Sequence, residues 1–105
     1  MIKISDYLNE PMLFNEKAEI IKAIANPQRL CIIKKLCETD QLCVSDMKEC
    51  LGEAQPNVSQ HISKLKAVGI IKGNRNGKNI YYSLCENSSS EIVREVIKQL
   101  FNEEE

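Results

Sequence analysis

The feature that most constrains this chain is a change of hydrophobic period at Gly69. Before it, Val58, Ile62, Leu65 and Val68 recur at steps of 4, 3 and 3, the spacing of one buried face on an α-helix. After it, Ile80, Tyr82 and Leu84 alternate, the spacing of a half-buried strand. Pro56 suits the first turn of a helix and Gly69 its end, which predicts a helix from Pro56 to about Val68. Ile70-Ile71-Lys72 begins one strand and Asn79 to Leu84 forms a second. Asn76-Gly77 between them predicts a type I′ hairpin turn. A helix that runs straight into a hairpin leaves few architectures open to a chain of 105 residues.

The remaining elements follow from the same reading. Leu13 to Ala25 is predicted helical, with Leu13, Phe14, Ala18, Ile21 and Ile24 or Ala25 on one side. Asn26-Pro27 supplies a cap and a first-turn proline for a helix from Pro27 to about Glu38. Leu30, Ile33 and Cys37 form its stripe, widened by Leu36. After the polar connection Thr39-Asp40-Gln41, a short helix spans Val44 to Leu51, with Ser45 or Cys43 near its start and Gly52 at its end. Two helices joined by a short glycine-containing turn read as a helix-turn-helix. Ser88 to Phe101 is a last helix, capped by serine, with a wide stripe of Ile92, Val93, Val96, Ile97 and Leu100. The first dozen residues are weakly patterned and suit packing against a partner. The expected fold is mainly α with a small β-hairpin (α+β), in the order α-α-α-α-β-β-α: a winged helix-turn-helix. One domain covers residues 1–105, with the helix-turn-helix at about 44–68, the wing at about 70–84 and flanking helices at about 13–25 and 88–101.

Composition sets limits on function. No run of about 18 apolar residues is present, so no membrane span is expected. The start, Met1 to Asp6, lacks the apolar stretch of an export signal, and the expected location is cytoplasmic. Five cysteines at 31, 37, 43, 50 and 85 form no CxxC pair and accompany one histidine, His61. That pattern excludes a zinc finger or knuckle and argues against a disulfide framework. An enzyme lacks its parts here: there is no glycine-rich phosphate loop and no obvious carboxylate pair, and a Cys-His nucleophile of Cys43 or Cys50 with His61 has no support.

Net charge is −1, but it is unevenly spread. From Ala54 to Cys85 there are five basic residues (Lys64, Lys66, Lys72, Arg75, Lys78) and no acidic one. The rest of the chain carries nine basic and fifteen acidic residues. A cationic segment on an acidic body is what a polyanion-binding face requires, although chance clustering on a solvated surface gives the same count. The outward positions of the 56–68 helix and the residue before it supply Gln55, Asn57, Ser59 and Gln60, short polar side chains able to pair with base edges. His61 and Lys64 lie further along, within reach of bases or phosphates. The tip Asn74-Arg75-Asn76-Gly77-Lys78 puts Arg75 and Lys78 on a compact loop suited to phosphate or minor-groove contact. The competing reading is that these polar residues merely solvate a surface helix.

From Ala23 to Leu84 the chain resembles the ArsR/SmtB family of metal- and thiol-responsive repressors. The resemblance is carried by Ala25-Asn26-Pro27-Gln28-Arg29-Leu30, Leu42-Cys43-Val44-Ser45-Asp46-Met47, Gln55-Pro56-Asn57-Val58-Ser59-Gln60-His61-Ile62-Ser63-Lys64-Leu65, Gly69-Ile70-Ile71 and Gly77-Lys78-Asn79-Ile80-Tyr81-Tyr82-Ser83-Leu84. It implies a homodimer joined through its first and last helices, bound to an imperfect palindrome of double-stranded operator DNA and released by an effector. The apolar stripe of the last helix fits such a partner surface, or else folds back onto its own core.

The resemblance is incomplete at the family's sensing sites. Its arsenic and cadmium sensors carry two cysteines one residue apart, where this chain has Cys43 and Ser45; a third cysteine of some arsenic sensors falls at Lys48. A neutral hydroxyl is a poor ligand for a soft ion. The family's zinc site on the last helix needs histidine, and its persulfide sensors use cysteines at positions near Lys34 and in the last helix; none is present. What remains is a thiol switch built on Cys43 with Cys37 and Cys50, responding to arsenite, another soft metal ion, sulfane sulfur or an oxidant. The helix start near Cys43 favours its thiolate. Against this stands the common role of cysteine as a small buried hydrophobe. A winged-helix regulator without small-molecule input, or an interaction module reusing the fold, are the alternatives.

Overall fold

The computed structural model describes residues 6–102; the reading of Met1 to Ser5 as lacking an export signal lies outside them, as does most of the C-terminal tail. Among the described residues the elements run α1 (Asp6–Asn9), α2 (Pro11–Ile24), α3 (Pro27–Glu38), β1 (Leu42–Cys43), α4 (Val44–Leu51), α5 (Gln55–Ala67), β2 (Ile71–Asn76), β3 (Asn79–Leu84) and α6 (Ser88–Leu100). The winged helix-turn-helix is present as expected, with two additions. The N-terminal stretch forms α1, and α2 begins at Pro11, whose fixed φ suits a first helical residue. Leu42 and Cys43 pair with Tyr82 and Tyr81, which makes the hairpin a three-stranded antiparallel sheet in the order β1-β3-β2. Two residues are too few for a period-2 pattern, so β1 had no signal in the sequence.

Local chemistry explains most boundaries. The Asn26 side chain accepts from the backbone N–H groups of Gln28 and Arg29, both at 2.9 Å, and Pro27 follows, so α3 starts as predicted. At α6 the cap is Asn87, not serine: its Oδ1 accepts from Ser90 N at 2.8 Å and its Nδ2 donates to the Gly69 carbonyl. Ser90 is fully buried and donates to the Ile70 carbonyl at 3.0 Å. The start of α6 is thus hydrogen-bonded to the junction between α5 and β2.

The hairpin differs from expectation by one residue. Asn76 pairs with Asn79, so the two loop residues are Gly77 and Lys78. Gly77 has φ +69° while Lys78 is not among the positive-φ residues. A type I′ turn needs positive φ at both central positions; glycine first and a negative φ second is the type II′ pattern.

The core joins α3, α5, the sheet and α6. Ile33, Val58, Leu65, Ile70 and Val93 have no exposure, and Ile32, Leu36, Met47, Ile62, Ile71, Tyr82, Leu84 and Ile97 surround them. At roughly 1.5–3 kcal/mol for each fully buried large side chain, this cluster is the main source of stability. The flanking helices are only half committed to it. On α6, Val93 and Ile97 are buried, but Ile92 is 59% and Leu100 62% exposed. On α2, Ala23 and Ile24 are buried while Met12 is 82% and Ile21 64% exposed, with Leu13 and Phe14 also open, as are Tyr7 and Leu8 of α1. The chain measures 51 × 31 × 23 Å with a radius of gyration of 15.4 Å, against about 13 Å for a compact domain of this length. No helix among the described residues is long and apolar enough to cross a membrane.

Candidate nucleic-acid interface

The helix-turn-helix is α4, the turn at 52–54, and α5. Burial of Val58, Ile62 and Leu65 turns the opposite side of α5 outward, and Gln55, Asn57, Ser59, Gln60, Ser63 and Lys64 are all exposed there. Ser59, Gln60, Ser63 and Lys64 line one shallow depression along it. The wing approaches the beginning of this helix. A cleft of about 280 Å³ is lined by Gln55 from α5, by Cys43 before α4 and Ser45 and Lys48 within it, and by Arg75, Lys78 and Tyr82 from the wing. Gln55, Arg75 and Lys78 therefore meet at one groove. β1 helps to set this geometry, because it joins β3 to the residue immediately before α4.

The wing needs a particular residue for its close packing. Gly73 lies opposite Tyr82 in the β2–β3 register. A Cβ at Gly73 would stand 2.9 Å from the Tyr82 ring and 3.1 Å from Ile80 Cγ2, closer than side chains approach. Sequence reasoning overlooked this glycine, whose mid-strand position was its one available signal.

His61 is less available than its outward-facing neighbours. It is half-buried against the start of α3, with Nε2 2.8 Å from Gln28 Oε1 and Nδ1 3.2 Å from Arg29 Nη1. Burial first, and then the Arg29 guanidinium, hold its pKa below the ordinary 6.5. Gln28 Nε2 donates to Glu53 Oε2 at 2.7 Å, and Asn57 Nδ2 donates to Glu53 Oε1 at 2.6 Å. These two donors, Asn57 first, hold the Glu53 carboxyl below the usual carboxylate range. Gln28, Arg29 and Glu53 were not singled out from the sequence. They lie 25 to 33 residues from their partners or in a turn, and periodicity carries no information about such pairings.

The three cysteines expected to serve a thiol switch lie on different elements. Among the described residues, no group of three or more His, Cys, Asp or Glu side chains is placed to hold a metal ion. Cys37, Cys43 and Cys50 sit at the end of α3, before α4 and late in α4 respectively. Cys43 has a structural task. Its backbone N–H and its Sγ both donate to Asp46 Oδ2, at 3.0 and 3.3 Å, in a capping box for α4.

Comparison with known proteins accords with this geometry. The family model described as "Bacterial regulatory protein, arsR family" matches residues 26–72. The transcriptional repressor PagR of Bacillus anthracis is 37% identical over 89 residues, which span 85% of this chain and 89% of PagR. The chain belongs to the arsR family of bacterial regulatory proteins. The HTH-type transcriptional repressor SmtB of Mycobacterium tuberculosis is 34% identical over 85 residues, or 81% of this chain; the chain matches 62% of the length of that relative. The crystal structure of PagR aligns with a TM-score of 0.71 at 36% identity, covering 87% of this chain and 99% of PagR. A solution structure of a homodimeric winged helix-turn-helix DNA-binding domain from Mycobacterium bovis aligns with a TM-score of 0.78, covering 100% of this chain and 94% of that one; at 24% identity this likeness speaks for the fold. The span matched to the arsR family runs from the Asn26 cap through α3, α4 and α5 into β2. It includes every residue of the Arg29–His61–Gln28–Glu53–Asn57 network.

Proposed function

We propose that this arsR-family chain is a sequence-specific transcriptional repressor that binds double-stranded operator DNA as a homodimer. In this reading α5 enters the major groove, where Gln55, Asn57, Ser59 and Gln60 meet base edges, and Lys64, Arg75 and Lys78 meet phosphates. The observation that carries it is the exposure of this polar set on one side of α5, in an acid-free segment, with Gln55 sharing a cleft with Arg75 and Lys78. Its relatives PagR and SmtB bear the name of transcriptional repressor. The homodimer is supported by the open apolar faces of α1, α2 and α6, which water alone covers poorly. A twofold dimer presents two reading helices to half-sites about 34–36 Å apart, or a multiple of it. Five cysteines with no CxxC pair suit the reducing cytoplasm as the place of action.

The test is selection of preferred duplexes from a randomised pool, followed by titration of the winner across salt concentrations. We expect a preferred, near-palindromic site and a steep salt dependence. Replacing Arg75 and Lys78 together by alanine lowers the logarithmic slope by about 2 per chain. Affinity no greater for the selected duplex than for random sequence ends the proposal.

A second reading, release from DNA by a thiol-directed agent such as arsenite, another soft metal ion or polysulfide, is favoured by one observation. Cys43 lines the cleft between α4, α5 and the wing tip, and its thiol is part of the α4 cap. A group attached there would occupy the cleft and break the bond to Asp46. Cys43→Ser keeps a capping hydroxyl and removes the reactive sulfur. DNA binding should persist and release should vanish; release unchanged by the substitution discards Cys43 as the sensor.

A further inference from the structure

The polar network beneath α5 has a direction, and it ends on a side chain of the reading face. Arginine only donates, so His61 Nδ1 must accept from Arg29 and carry no proton. The ring proton is then on Nε2, which donates to Gln28 Oε1. With its oxygen committed, Gln28 turns its amide nitrogen to Glu53. An ionised carboxylate can only accept, so Asn57 must also turn its nitrogen to Glu53. At the far end, Arg29 Nε donates to the carbonyl of Ala23, near the end of α2. The His61 tautomer thus orients Gln28, and the Glu53 carboxylate that Gln28 anchors orients Asn57.

We propose that Gln28, His61 and Glu53 are positioning residues for sequence recognition: without touching DNA, they fix the Asn57 carboxamide in one orientation, leaving its Oδ1 and second N–H for a base edge. This rests on the DNA-binding reading. A free carboxamide can flip by half a turn and then offers donor and acceptor in reversed order; a bidentate pair with adenine tolerates one order only. Glu53 removes that ambiguity before the duplex arrives. The ordering cost is met within the protein, and discrimination, more than overall attraction, benefits.

The relay also has a proton-sensitive link. Protonation of His61 Nδ1 sets an N–H against the Arg29 donor and breaks that one link, while Nε2 keeps its proton and its bond to Gln28. The charged groups acting on this ring are Arg29 from α3 and Lys64 from α5, which oppose its protonation, and Glu53 from the turn, which favours it.

The experiment uses the full chain and two duplexes: the one preferred by the unmodified protein in selection from a random pool, and a scrambled version. Dissociation constants are measured by fluorescence anisotropy for the unmodified protein, E53Q, Q28A and H61Q. Glutamine at 53 keeps the shape but presents either end of its amide, so Asn57 is no longer held one way. The scrambled-to-selected ratio should fall on the order of tenfold in E53Q and less in Q28A, while affinity for the scrambled duplex stays within about twofold, because the phosphate contacts are untouched. H61Q, which loses the ring N–H that orients the Gln28 amide, should lower the ratio about as Q28A does. Two results overturn the proposal: an unchanged ratio in E53Q, or an equal loss of affinity for both duplexes with a lowered melting temperature, which marks a purely structural role. Should E53Q not fold, Q28A decides: an unchanged ratio in Q28A rejects the relay. If the unmodified protein prefers no duplex, the DNA-binding reading itself has failed and the relay falls with it.

Discussion

Helices α5 and α2 carry the same kind of sequence signal and meet different fates. Each has apolar residues three and four apart. On α5 the stripe of Val58, Ile62 and Leu65 is buried within its own chain. On α2 the stripe is split: Ile24 reaches the core, while Leu13, Phe14 and Ile21 face outward beside Tyr7 and Met12. Helical spacing says which residues share a face; it does not say what that face meets. α5 is held between α3, α4 and the sheet, whereas α2 extends along an elongated molecule with few neighbours of its own. The contrast divides the protein into a half whose apolar faces are covered within the chain and a flanking half whose apolar face is left open.

The sharpest way to break this comparison is to damage each helix in turn. Leu65→Ala leaves a cavity in the centre of the core and should cost about 2–5 kcal/mol, measured by urea unfolding and expressed as a large loss for so small a domain. Ile21→Glu should leave far-UV helicity in place and reduce the sedimenting mass to one chain. A variant at Ile21 that stays dimeric would move the interface elsewhere. The next effect concerns the wing alone. Gly73→Ala forces a methyl group against Tyr82 and Ile80 and should cost roughly 1–3 kcal/mol in the same unfolding assay. A neutral result would mean that the ring swings aside freely.

Smaller effects sharpen the boundary between the halves. Asn87→Ala removes the α6 cap and the bond to Gly69, for about 1 kcal/mol; thermal melting would show whether α6 loosens from the α5–β2 junction. Last comes pH. His61 is held below its ordinary 6.5 in the fold, so the unfolded chain takes up a proton first as pH falls. Stability is therefore unaffected well above 6.5 and declines as pH drops from there toward the lower folded value. Unfolding curves between pH 7.5 and 5 check this, and His61→Gln should remove that part of the decline. Glu53, also depressed, adds its own loss at more acidic pH, as its carboxylate is protonated.

What could be read in advance was whatever depends on neighbours in the chain. Asn26-Pro27 predicted the start of α3, because a cap bonds to amides two and three residues on. The outward set on α5 followed from where Val58, Ile62 and Leu65 had to go. The hairpin was legible, but its turn shifted by one residue because Gly77 fits the first central position of a type II′ turn as readily as the second of a type I′ turn. β1 was missed for its brevity, and His61 was read as facing outward because nothing nearby in sequence reveals Gln28 or Arg29.

By itself, the sequence determined the helical and strand periods, the capping of α3 and the acid-free segment from Ala54 to Cys85. These follow from side-chain chemistry over a few residues. Only the tertiary structure decided that α3 and Glu53 hold His61 and Asn57, that β1 joins the wing to the start of α4, and that half of α2 stays uncovered. Those outcomes depend on which distant surfaces compete for the same apolar and polar groups, and that competition is settled when the chain packs.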